Sequence, residues 1–310
     1  MRPLFALLAL VATLAACADG FSSASAPNPS ALPARPHSTP VAADATTIAA
    51  RVYYQRIEAN NLAQGFLRLD GGGRDTPFDA SDLADNFLRI ALFDEYDSSG
   101  RLVTAGKASR LQRWQGPVRV LLEFGPSLSA AQRQADRALV ASYLARMSRL
   151  TGLDISLASQ NSNFSILVLN PPERAKATAR ILQLAPGTAP GVVRSAVAMA
   201  PDTYCLSFSN SPGNSAFFDR SIVVIRGELP PRMTLNCFHE ELAQSLGLIN
   251  DSPRARPSIF NDSDEFAALT RQDEMMLRIL YDRRLRPGMT LAEARPIVET
   301  IAAELVPGDS

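Results

Sequence analysis

C-F-H-E-E-L-A-Q-S-L-G-L-I-N-D, residues 237–251, is the stretch on which the reading of this chain turns. The preceding P-P-R-M-T-L-N (230–236) puts proline in a first helical turn, where a missing N–H is no loss. Gly247 offers the left-handed stop that ends helices. The spacing therefore predicts a helix from near residue 231 to Gly247. Within it His239, Glu240 and Glu241 are consecutive, and Gln244 lies one turn beyond Glu240 on the same face. Asn250 and Asp251 follow the stop. The pattern poses a choice between a metal site, the remains of one, and polar residues that merely finish a helix.

Around this helix the chain reads as a mixed α+β domain. Residues 79–96 have apolar positions at helical spacing, with Asp79 or Ser81 as cap. A strand is predicted at 117–124, and a long helix at 129–153 whose apolar face runs through Ala135, Leu139, Tyr143, Met147 and Leu150 and which Gly152 closes. D-I-S-L-A, F-S-I-L-V-L-N, Y-C-L-S-F-S-N and R-S-I-V-V-I-R read as strands, the last two joined by the turn-rich S-P-G-N-S-A. Two helices close the chain, one capped by Thr270 and one opened by a Thr290/Glu293 capping box. Residues 49–112 read as an N-terminal helical extension, with packing onto the same core left open.

The N-terminus has the anatomy of an export signal. Arg2 precedes the apolar run Leu4 to Leu14, which is too short to span a bilayer. The run ends in L-A-A-C, which resembles the lipobox of bacterial lipoproteins. That resemblance implies a signal peptide over 1–16, acylation of Cys17 and attachment to a membrane through the lipid. Ala18 rather than aspartate follows the cysteine, so outer-membrane sorting in the bacterial envelope is expected over the inner membrane. Residues 17–48 are rich in proline, serine and alanine and read as a disordered tether, which sets His37 apart from any site.

Setting Cys17 aside leaves Cys205 and Cys237. Export to an oxidising compartment favours a disulfide between them, two buried thiols being the alternative. The formal net charge is +0, so the basic excess of a nucleic-acid binder is missing.

Read from Glu240, the opening stretch becomes E-E-L-A-Q-S-L-G-L-I-N. This resembles the H-E-x-x-H-x-x-G-x-x-H of the metzincin peptidases. Glu240, Gln244 and Asn250 stand at the three histidine positions, Glu241 at the general base and Gly247 at the glycine. R-P-S-I-F-N-D (256–262) resembles that family's turn beneath the metal, with Ser258, Ile259 and Phe260 in it and Phe260 in place of methionine. A-L-T-R-Q-D-E-M-M-L-R-I-L-Y (268–281) is similar to its closing L-T-x-x-D helix. The match is closer to a family of bacterial lipoproteins known as domain of unknown function 2927. There the C-x-x-E-E-x-x-Q-x-L-G-L-x-N-D block, S-I-F-N-D, and L-R-I-L-Y-D-x-R-L-R-P-G-M (here 277–289) recur together. The resemblance implies a metzincin-like domain over 113–310. Its mixed, mostly parallel sheet, long backing helix, degenerate active-site helix and C-terminal helix would follow from that likeness.

The ligand chemistry bears on the reaction. Zinc is held by histidine, cysteine or carboxylate. Glu240, Gln244 and Asn250, with Asp251 nearby, form an all-oxygen set that suits calcium or magnesium better. His239 is the sole histidine beyond the tether, so a multi-histidine site cannot be built; the same count argues against a Ser-His-Asp hydrolase, since only His239 could be its base and no G-x-S-x-G elbow is present. Adjacent glutamates at a helix start also meet its positive dipole end, and Gln244 and Asn250 could serve backbone groups. No cofactor is expected, a divalent cation remaining possible at Glu240, Gln244 and Asn250. The expectation is a membrane-anchored, non-catalytic pseudopeptidase that binds an envelope protein or peptide. The alternative is a metal-dependent hydrolase with unusual ligands in which Glu241 is the base.

Overall fold

The computed structural model describes residues 42–96, 102–213, 215–261 and 263–307, with only the backbone of 94–96 and 102–107. The chain divides into two units, Met1–Thr39 and Pro40–Ser310, and every described residue lies in the second. The readings of a signal peptide, of Cys17 and of most of the tether fall outside the described residues, as do Asn214 and Asp262. No helix among the described residues is long and apolar enough to cross a membrane.

In chain order the helices and strands are α1 (Ala45–Ala63), α2 (Ala80–Ala91), β1 (Phe93–Tyr96), β2 (Leu102–Ala108), β3 (Val118–Phe124) and α3 (Ala130–Thr151). Then come β4 (Ile155–Leu157), β5 (Phe164–Leu169), α4 (Pro171–Arg174), α5 (Thr178–Leu184) and α6 (Pro190–Ala198). β6 (Cys205–Asn210), β7 (Arg220–Arg226), α7 (Pro231–Gln244), α8 (Arg271–Leu280) and α9 (Leu291–Leu305) complete the series.

The fold is mixed α/β, organised on a five-stranded sheet of order β4-β3-β5-β7-β6. β4, β3, β5 and β7 are parallel, and β6 alone runs antiparallel, against β7. Central β5 is buried at every position, which is why F-S-I-L-V-L is continuously apolar apart from Ser165. Alternation sends Phe164, Ile166 and Val168 to one face and Leu167 and Leu169 to the other. The first face carries the larger core, shared by α3, α7, α8 and α2, and the second is covered by α5 and α6.

Several expectations shift by a few residues, for local reasons. The helix expected over 79–96 stops at Ala91, because Phe93–Tyr96 pairs antiparallel with β2. Its cap is Asp79, whose carboxylate accepts from the Asp82 N–H in a reciprocal box. α3 is closed by Gly152 at φ 73°, as the sequence implies, and is capped by Ser129. Its buried stripe, however, is Asp136, Val140, Tyr143, Leu144, Met147 and Thr151, while Ala135 is exposed. The buried carboxylate at 136 breaks the apolar pattern and draws the eye one position round the helix. α8 carries the expected Thr270 cap, here as a reciprocal box with Asp273, and α9 the expected Thr290/Glu293 box. α2 packs against both, Leu83 and Phe87 being fully buried in the same core as α7 and α8.

Candidate functional site

α7 is the element around which the site is built, and both its ends are fixed. At its start the backbone N–H groups of Arg232 and Met233 donate to one Glu58 carboxylate oxygen of α1, at 2.8 and 3.0 Å. That places an acidic group on the positive end of the helix. Helical hydrogen bonding ends at Gln244 rather than Gly247. The last turn tightens, with Leu246 N–H reaching Ala243 O and Gly247 N–H reaching Gln244 O. Trp114 Nε1 donates to Ser245 O at 2.8 Å, and Tyr281 Oη to Leu246 O at 2.8 Å. Gly247 then turns the chain at φ 125°, where a Cβ would lie 2.4 Å from Gln112 O. Only glycine satisfies both demands.

The segment Ser258–Phe260 is bolted to α8. Asp273 accepts from Ser258 Oγ at 2.6 Å, Ile259 N–H at 3.2 Å, Thr270 N–H at 2.8 Å and Thr270 Oγ1 at 2.8 Å. Full burial pushes its carboxyl up to about 6 although all of these donors favour the anion. Phe260 is buried in the main core. Gln272, which receives Asn86 of α2, donates to Pro257 O, so the turn, α8 and α2 form one unit.

His239 belongs to the core. Its Nδ1 accepts the Leu269 N–H at 3.0 Å, its ring stacks on Tyr143 at 4.0 Å, and Tyr143 Oη donates to its carbonyl at 2.7 Å. Burial, with Arg146 nearby, lowers it to about 3, so the ring is neutral at every ordinary pH.

Beside α7 runs a groove of about 1050 Å³, with β6 along it. β6 is tied to α7 by a disulfide between Cys205 and Cys237, Cα–Cα 5.8 Å. Tyr204 O accepts the Arg226 N–H of β7, so alternation turns the backbone groups of Leu206 and Phe208 toward β7 as well. The N–H and C=O groups of Cys205, Ser207 and Ser209 then point outward, and among the described residues no strand pairs with them. The loop into β6 is held by Arg226, which donates to Met199 O, Ala200 O and Thr203 O at 2.8 Å and pairs with the buried Glu228 at 2.9 Å. Tyr54 of α1 donates to Pro201 O at 3.0 Å and sets its ring edge-on to Tyr204. Burial, with the Asp264 carboxylate second, raises the Tyr204 phenol above its ordinary value.

Glu240, Glu241 and Gln244 all line this groove, with Asp251 rather than Asn250 across from Gln244. Gln244 Nε2 faces Asp251 Oδ1 at 3.4 Å and its Oε1 faces Ser207 Oγ at 3.4 Å. Asn250 turns away, donating its amide to Arg89 O at 3.1 Å while its N–H reaches Ile90 O, and so closes the end of α2. Asp202, Tyr204, Ser207 and Asp264 also line the groove. Sequence reading missed them because the order of strands, which makes β6 the edge, is not written in any local pattern.

Among the described residues no group of three or more His, Cys, Asp and Glu side chains is placed to hold a metal ion. The donors also fit a catalytic zinc poorly. Gln244 has its amide engaged on both sides, Asn250 faces α2, and two carboxylates remain from the expected cluster, Glu240 and Asp251.

A mostly parallel α/β domain with a groove along an antiparallel edge strand is the class this geometry defines. The family described as Protein of unknown function (DUF2927) matches residues 80–300, and the chain belongs to it. That match begins at α2 and takes in every element that builds the groove apart from α1. A comparison with curated proteins found no match.

Proposed function

We propose that this protein is a non-catalytic, metzincin-like binding domain whose groove along β6 takes an extended peptide segment of a partner protein. The observation that carries this reading is the open edge of β6 beside a helix that keeps Glu241 and Gly247 but has no histidine at any ligand position. An unpaired strand edge is a ready template for an added strand, in which main-chain hydrogen bonds give affinity and alternate side chains give selectivity. The long helix α3 behind the sheet, the turn at Ser258–Phe260 and the α8 helix after it support the metzincin-like reading. The L-A-A-C ending supports a lipid on Cys17 and a place on the periplasmic side of the bacterial outer membrane, with an envelope protein as partner.

The second reading, a metal-dependent hydrolase using Glu240, Gln244 and Asn250, rests on Glu241 at the position of a general base. Its weakness is that a base needs a water made acidic by a strong Lewis acid, and the donor set is poor for one. One experiment separates the two. The full-length chain is incubated with a library of extended octapeptides while binding and cleavage are read together by mass spectrometry. Binding with every peptide recovered intact is expected. Cleavage that Glu241→Gln abolishes would establish the hydrolase instead. Mass spectrometry of the mature N-terminus checks the anchor: acylated Cys17 is expected, and an unmodified Cys17 or a chain beginning at Ala18 would remove the membrane from this account.

A further inference from the structure

The lining of the groove is rich in carboxylates. Asp202, Glu240, Glu241, Asp251 and Asp264 all line it, and no arginine or lysine is among the described residues that do. The chain as a whole has formal net charge +0, so this is a local concentration and not the echo of an acidic protein. The five residues come from four separate places in the chain: the loop before β6, α7, the segment after Gly247, and the loop before α8. No single helix or turn explains their meeting. Carboxylates gathered in a cleft with low-dielectric walls focus a negative potential within it, which raises the local concentration of cations.

We infer that the segment bound along β6 is cationic, carrying lysine or arginine at alternate positions; this rests on the binding reading above. A strand laid against the outward groups of Cys205, Ser207 and Ser209 sends every second side chain to one face, roughly 6–7 Å apart. On one face those side chains meet the acidic wall formed by Glu240 of α7 and Asp251 of the segment after Gly247. The intervening positions turn to the other face of the sheet and find apolar contact at Met199, Leu206 and Phe208, which line the same groove. Main-chain pairing sets the register, and the carboxylates select the sequence. Arginine suits this wall especially, since its planar fork pairs with a carboxylate through two parallel hydrogen bonds.

The test uses the full-length chain and fluorescein-labelled octapeptides of alternating residues, read by fluorescence anisotropy. The arginine–valine peptide is expected to bind at least tenfold tighter than glutamine–valine and glutamate–valine peptides of the same length. Its affinity should fall several-fold between 50 and 300 mM salt, as screening of exposed charges requires. Glu240→Gln combined with Asp251→Asn should weaken it about tenfold. The exposed Asp202→Asn, away from the packed end of α7, gives a second variant if that pair folds poorly, and the salt series needs no variant. Equal binding of the arginine and glutamine peptides overturns the charge inference while leaving the groove reading intact. No binding by any octapeptide overturns both. An arginine–valine peptide with N-methylated backbone that binds as well as its parent also overturns both, since charge alone would then hold it. Full displacement by spermine at equal concentration would assign the groove to small polycations and overturn the peptide.

Discussion

The Leu269 backbone N–H donates to His239 Nδ1 at 3.0 Å, across the gap between the loop before α8 and the centre of α7. This bond needs a neutral imidazole, because a protonated ring has no acceptor nitrogen. The histidine that first suggests a metal site is instead a fastening between the two elements that frame it.

A pH dependence follows from that fastening. The unfolded histidine takes up a proton below about 6.5, whereas the folded one resists until about 3. The unfolded state therefore binds more protons through this window, and stability present above pH 6.5 is lost as the pH falls. Relative to His239→Gln, the wild-type chain should lose about 2 kcal/mol between pH 7 and pH 5. Urea unfolding at a series of pH values checks this; parallel curves for the two proteins would refute it.

Asp273 works with the opposite sign. Its folded carboxyl titrates at about 6, above the ordinary 3.8, so its contribution is complete below the unfolded value and fades as the pH rises through 6. Asp273→Asn keeps the shape but replaces one acceptor oxygen with a donor, facing the groups of Ser258, Ile259 and Thr270. A cost of about 2 kcal/mol is expected at pH 7.5, larger by about another 2 at pH 4.5. A cost that shrinks on acidification, measured by denaturant unfolding, would contradict the assignment.

Asp136 is a third buried carboxyl, pushed up to about 6 by burial alone, and its Oδ2 has no hydrogen-bond partner. Asp136→Asn removes a charge that the α3 interface does not compensate. The variant should be more stable than wild type by about 1–2 kcal/mol at pH 7.5, the advantage vanishing near pH 4. Thermal unfolding at the two pH values decides it.

Gly247→Ala should be among the most damaging small substitutions in the chain. The added carbon would meet Gln112 O at 2.4 Å in a backbone conformation that alanine resists. A loss of about 3 kcal/mol, or failure to fold, is expected. A variant within about 1 kcal/mol of wild type by denaturant unfolding would show that the end of α7 can shift.

The disulfide between Cys205 and Cys237 closes a loop 32 residues apart in sequence. Replacing both cysteines with alanine should cost about 3–4 kcal/mol in the chain-entropy account. It should also weaken peptide binding, because β6 and α7 are no longer joined. Guanidinium unfolding and the anisotropy assay report the two effects separately.

Local order was largely legible in the sequence. Caps at Asp79, Thr270 and Thr290 mark their helices by side-chain chemistry that acts within four residues. The runs that became β3, β5, β6 and β7 announce themselves by β-branched and aromatic content. Helices α4, α5 and α6 were not legible, being short and opened by prolines that read equally well as loop. β1 was hidden because Leu92 and Tyr96 continue a helical spacing that pairing with β2 overrides. At the site, the helix periodicity puts Glu240 and Gln244 on one face, and both line the groove. Asn250 and Asp251, one residue apart, point to opposite sides of the chain, and no pattern in L-I-N-D says which faces the groove.

An open strand edge carries a hazard as well as a use, since two copies of a protein can zip together along it. β6 has every residue half-buried and three sets of outward backbone groups, the kind of edge on which such pairing begins. Two copies meeting edge to edge would bring ten carboxylates into a single seam, at a cost that grows with each pair. The acidic lining thereby works against pairing of β6 with a second copy of itself.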